Sequence, residues 1–108
     1  MDIVVIDDHN LIRSGLIAAL AETKFKVVAE ASSVGEGLAV INKFKPDIAL
    51  VDVNLGASSG LDLIETAISQ KSSCSFVVLT MHDQSEILER AKAVGASAFV
   101  RREPQFLS

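Results

Sequence analysis

The chain alternates between two hydrophobic periods. "DIVVI" at 2–6 is a short β-branched run, the pattern of a strand buried on both faces. From Asn10 to about Glu22 the period becomes helical: Ile12, Leu16, Ala19 and Leu20 fall on one apolar stripe. "FKVVAEAS" at 25–32 predicts a second strand. Val34, Leu38 and Ile41 predict a second helix, ended before Pro46 because the residue ahead of a proline disfavours helical backbone. "DIALVDV" at 47–53 predicts a third strand and "NLGASSG" at 54–60 a loop of small residues, after which Leu61, Ile64 and Ile68 mark a third helix. "SFVVLT" at 75–80 predicts a fourth strand. Ile87, Leu88, Ala91 and Val94 mark a fourth helix, closed by Gly95 at its C-cap, and "SAFVR" at 97–101 reads as a fifth strand.

Strand and helix thus alternate four times before a last strand, which implies an α/β fold: a parallel sheet with helices on both faces. "REPQFLS" at 102–108 has the look of a fifth helix beginning, with Pro104 suited to a first turn. The expectation is one domain over 1–108 whose last helix is truncated or absent, with any output domain lying outside the chain.

Composition narrows the class. The 108 residues suffice for one core and not for two. A net charge of -4 argues against direct nucleic-acid binding. A single cysteine, Cys74, excludes an internal disulfide and fits a reducing compartment. No apolar run reaches the roughly 18 residues of a membrane span, and no basic region precedes "DIVVID", so neither membrane insertion nor a signal peptide is expected. The expected location is the cytoplasm.

The polar residues gather at strand ends. In open parallel sheets, ligands bind beyond the carboxyl ends of the strands, near a switch in strand order. The first strand ends in Asp7 and Asp8, the third in Asp52, the fourth in Thr80 and the fifth in Arg101 and Arg102. Two carboxylates about 4 Å apart repel by about 4 kcal/mol at an effective dielectric near 20, so the adjacent pair needs compensation. With the first, third and fourth strands as neighbours, three carboxylates and a hydroxyl share one pocket. That is an oxygen site for Mg²⁺, which is held by carboxylates, waters and a phosphate.

The stretches "VVIDDHNLIRSGL", "FKVVAEASSVGEGL", "KPDIALVDVNLGASSGLDLIE" and "FVVLTMHDQSEILERAKAVGASAFV" together resemble the receiver domain of two-component response regulators. The "DDH" and "LTMH" segments are most similar to receivers of the NarL/LuxR class, which carry a helix-turn-helix DNA-binding output. The resemblance implies a flavodoxin-like doubly wound five-stranded parallel sheet in the order 2-1-3-4-5. It implies that Asp52 accepts a phosphoryl group from a sensor histidine kinase, with Mg²⁺ as cofactor. Asp8 would bind the ion directly, Asp7 mainly through a water, and Asn54 through its backbone carbonyl. Thr80 would be the switch hydroxyl and Phe99 the aromatic that shifts with it. The implied molecule is a phosphorylation switch rather than an enzyme, regulating transcription through its output domain and capable of forming a homodimer.

The match has departures. Arg102 falls where the family has a lysine; a planar fork does not replace a compact ammonium conservatively, and the two readings are contact with the phosphoryl group and a side chain turned to solvent. Gly56 stands where the family commonly has proline, which predicts a looser loop. Phe99, often Tyr in relatives, has no hydroxyl. His82, two residues after Thr80, lies at a position that tunes phosphoryl lifetime in relatives, as does Asn54. His9 could be a metal ligand but usually only begins the first helix, and that is the reading taken. Two other readings are a phosphorylation-independent pseudo-receiver that acts as an interaction module, and a phosphohydrolase with an aspartyl-phosphate intermediate. The latter commonly uses Asp-x-Asp, and here the second position is Asn54.

Overall fold

Val4, Val5 and Ile6 are completely buried, as a β-branched run must be when it lies at the centre of a sheet with helices on both faces. The computed structural model describes residues 1–80 and 85–101. In chain order the elements are β1 (Asp2–Ile6), α1 (Asn10–Leu20), β2 (Lys26–Ala31), α2 (Val34–Phe44), β3 (Ile48–Asp52), β4 (Asn54–Leu55), β5 (Ser58–Ser59), α3 (Gly60–Ser69), β6 (Ser75–Thr80), α4 (Ser85–Val94) and β7 (Ala98–Arg101). Five strands form one parallel sheet in the order β2-β1-β3-β6-β7. Counted without the small β4-β5 pair, this is the expected order 2-1-3-4-5.

The two faces of the sheet differ. Val4, Ile6, Ala49, Val51, Phe76 and Val78 pack with Ile41 of α2, Leu63, Ile64 and Ala67 of α3, and Ala91 of α4. Ile3, Leu50 and Leu79 point the other way and meet Leu16 and Leu20 of α1. The alternation along each strand therefore sorts its residues between two cores.

Local signals set the helix ends. Ser33 caps α2 by accepting the Glu36 amide, and Glu36 reaches back to the amide and hydroxyl of Ser32, a capping box displaced by one residue. Those bonds lower the Glu36 pKa, the backbone bond most. Lys45, left-handed at φ 45°, ends α2 just before Pro46. Gly95, at φ 111°, follows α4, with its amide on the Lys92 carbonyl and that of Ala96 on the Ala91 carbonyl. This is the paired Schellman arrangement, and it agrees with the expected cap.

Three details differ from the sequence reading. Ala19 is exposed, and the face of α1 that packs is carried by Leu16 and Leu20. Ile68 is 40% exposed, and the buried stripe of α3 is Leu61, Leu63, Ile64 and Ala67. "NLGASSG" is not an open loop: its ends pair antiparallel, Asn54 with Ser59 and Leu55 with Ser58. Gly56 takes φ 63° at the first of the two turn residues, the placement glycine has in a type II′ hairpin.

Candidate phosphoacceptor and cation site

The strand order reverses at β1 and β3: the chain crosses from β1 outward to β2, then returns to the other side of β1. Ile6 pairs with Val51, so the next residues, Asp7 and Asp52, emerge side by side at the carboxyl edge. This is the switch point where such sheets bind ligands.

Asp7 is fully buried, Asp52 is 4% exposed and Asp8 lies at the rim. Two carboxylates are fixed in the same way. The His9 amide donates to Asp7 Oδ1 at 2.8 Å, and the Asn54 amide donates to Asp52 Oδ1 at 3.0 Å. Each is an aspartate bonding the backbone two residues on. Asp8 is held from a distance in sequence, with the Gly56 amide donating to its Oδ2 at 2.8 Å. A proline at Gly56 would have no such donor.

Arg13 stiffens the β1–α1 turn. Its guanidinium donates to the Asp7 carbonyl at 2.6 Å, to Glu30 Oε1 at 2.7 Å and to Asn10 Oδ1 at 2.8 Å. The planar fork thereby ties the acidic turn to β2 and the first turn of α1. Gly60 closes the other side. A Cβ there would strike the Asp52 carbonyl oxygen and Val51 Cγ1, so glycine lets α3 begin directly against the strand that carries Asp52.

One donor atom each from Asp7, Asp8, His9 and Asp52 lie within 4.8 Å of one another. Asp8 Oδ1 is buried, with the His9 ring nitrogen beside it at 3.0 Å and no hydrogen bond formed among the described residues. A buried, unsatisfied carboxylate oxygen is costly in a protein interior. Three carboxylates and that unfilled oxygen fit a hard divalent cation.

The structure brings Asp7, Asp8 and Asp52 together as the sequence suggested. Thr80 ends β6 and is buried, one position beyond Leu79, the register partner of Asp52. Phe99 lies within β7 and packs on the larger core. Asn54 enters the site through its amide. His82 and Arg102 lie outside the described residues. Sequence reasoning missed the Gly56 amide, the Arg13 fork and the placement of the His9 ring. The spacing of Arg13 three residues after Asn10 was the one available signal, since residues so spaced share a helix face.

A model of the response regulator receiver domain matches residues 3–105. The chain belongs to this family. It is 31% identical over 104 residues to the transcriptional regulatory protein DegU of Brevibacillus brevis, covering 95% of this chain and 44% of DegU. It is 32% identical over 102 residues to the transcriptional activator DevR/DosR of Mycobacterium tuberculosis, covering 94% of this chain and 47% of that protein. The chain thus spans about half the length of these relatives. Among solved structures, the receiver domain of the putative response regulator NarL from Mycobacterium tuberculosis superposes with a TM-score of 0.86 at 30% identity, covering 91% of this chain and 80% of that one. A LuxR-family response regulator from Aurantimonas sp. gives 0.87 at 28% identity, covering 93% and 72%. The receiver domain is a signalling module, and its relatives here are transcriptional regulators of the NarL/LuxR type.

Proposed function

We propose that this receiver domain accepts a phosphoryl group on Asp52 from a sensor histidine kinase in the cytoplasm and passes the change to an attached helix-turn-helix output. The observation that carries the reading is the convergence of Asp7, Asp8 and Asp52 at the switch point, with one oxygen of each within 4.8 Å of the others.

The chain's own groups supply most of the reaction. A carboxylate oxygen of Asp52 attacks phosphorus, the bond from phosphorus to the donor nitrogen breaks, and the donor ring, protonated on its other nitrogen, leaves with that electron pair as neutral imidazole. The Asn54 amide on Oδ1 holds the Asp52 carboxylate in one orientation, which is the positioning that phosphoryl transfer requires. Mg²⁺ bound by Asp8, Asp52 and the Asn54 carbonyl, with Asp7 acting through a water, would neutralise charge on the phosphoryl oxygens. The product carries close to two negative charges and new acceptor oxygens. Thr80 and Arg102 are the groups assigned to bond them, and Phe99 is assigned to repack in response. His82 and the Asn54 side chain are assigned to tune the lifetime of the phosphoryl group. At net charge -4 the chain itself is not the DNA-contacting part.

The test is incubation with Mg²⁺ and a small acyl phosphate, followed by intact mass. Wild type should gain one phosphoryl group, and Asp52→Asn should gain none. An unmodified wild type, or an equally modified Asp52→Asn, would contradict the proposal.

A further inference from the structure

The side chain of His9 has no role in the helix it begins. His9 is the N-cap of α1, yet its ring makes no capping hydrogen bond. The ring turns instead into the acidic pocket. Nδ1 lies 3.0 Å from Asp8 Oδ1, 3.3 Å from Asp7 Oδ1 and 3.9 Å from Asp52 Oδ2. The His9 amide bond to Asp7 fixes the backbone from which the ring projects. An octahedral ion with bonds of about 2.1 Å holds adjacent donor atoms about 3.0 Å apart and opposed ones about 4.2 Å apart. The distances from Nδ1 to the Asp8 and Asp52 oxygens fall within that span, while the Asp7 contact is a hydrogen bond that steadies the ring, and imidazole nitrogen binds borderline divalent ions at the same bond length.

We propose that His9 Nδ1 is a ligand of this site and converts an all-oxygen Mg²⁺ pocket into a mixed nitrogen–oxygen one that prefers nitrogen-accepting divalent ions such as Ni²⁺ and Co²⁺. This rests on the reading of Asp7, Asp8 and Asp52 as a cation site. In the bound form Nδ1 gives its lone pair to the ion and the ring proton resides on Nε2, the other of the two imidazole tautomers. Any carboxylate site favours Ni²⁺ over Mg²⁺ to some degree. The inference therefore concerns how much of the preference depends on His9.

The experiment is calorimetric titration of the tag-free chain with Ni²⁺ and with Mg²⁺, in wild type, His9→Ala and His9→Gln, with circular dichroism to confirm folding. The expected result is a ratio of Mg²⁺ to Ni²⁺ dissociation constants that falls at least tenfold in both variants. The Co²⁺-loaded wild type should also show a hyperfine-shifted imidazole proton in its NMR spectrum that His9→Ala lacks. A ratio unchanged by both substitutions overturns the inference and leaves the cation site standing. So does tighter binding of both ions alike, the outcome if the ring only fills the cavity. Failure of wild type to bind either ion, or binding that survives Asp8→Asn combined with Asp52→Asn, overturns the site itself and the inference with it.

Discussion

At the scale of single residues, the buried polar groups separate into used and inert. Asp7 and Asp52 are buried because the sheet places them at its carboxyl edge, and both are anchored by a backbone amide two residues on. Cys74 is buried as well, and it has no such company. Burial, reinforced by the negative charge of Asp47, pushes its thiol pKa up to about 11, so it is protonated and unreactive near neutrality. The folded chain holds this proton more tightly than the unfolded chain. Its contribution to stability is therefore complete below about pH 9 and is lost as pH rises through about 11. Alkylation of the native protein should be slow at pH 8 and should keep rising about tenfold per pH unit beyond pH 9. A rate that levels off near pH 9 would show an ordinary thiol.

At the scale of elements, sequence pattern located every member of the main sheet, because buried strands and amphipathic helices have periods that survive without tertiary context. It did not locate β4 and β5, each of two residues, whose pairing depends on a positive φ at Gly56 rather than on any apolar period. The Gly56 amide on Asp8 was illegible for the same reason, since a backbone donor leaves no trace in residue type. His9 was readable as a residue but not as a direction: only the turn geometry shows that its ring faces the carboxylates. Arg13 was likewise read as part of a helix, while the structure shows it clamping the turn that carries the acidic pair. Arg13→Ala should lower stability by about 1–3 kcal/mol in urea denaturation and weaken Mg²⁺ binding several-fold. Arg13→Lys should restore charge without the fork and recover little of either. Mg²⁺ affinity unchanged in Arg13→Ala would show that the turn holds its shape without the clamp.

At the scale of the whole molecule, the sheet is a scaffold whose switch point gathers three carboxylates at one edge. Asp8 Oδ1 is buried with the His9 ring nitrogen beside it at 3.0 Å, and one oxygen each of Asp7, Asp8 and Asp52 lie within 4.8 Å of one another. A cation bound among them would add stability by binding the folded state alone. Ligand binding to the native state alone adds about 2.7 kcal/mol at a hundredfold excess over Kd, which amounts to a rise of about ten degrees in Tm for a domain of this size. Saturating Mg²⁺ should raise the Tm of wild type by that order. Asp8→Asn should be the more stable protein without the ion and should gain little from it. Equal gains in both proteins would place the ion elsewhere.

The central claim is that Asp52 is the residue modified. Reduction of the phosphodonor-treated, Mg²⁺-loaded chain with borohydride converts an aspartyl phosphate to homoserine, which peptide mass spectrometry can place. The account predicts homoserine at position 52 and at no other carboxylate. Homoserine at Asp7 or Asp8, or none in a chain shown to be folded and to bind Mg²⁺, would contradict it.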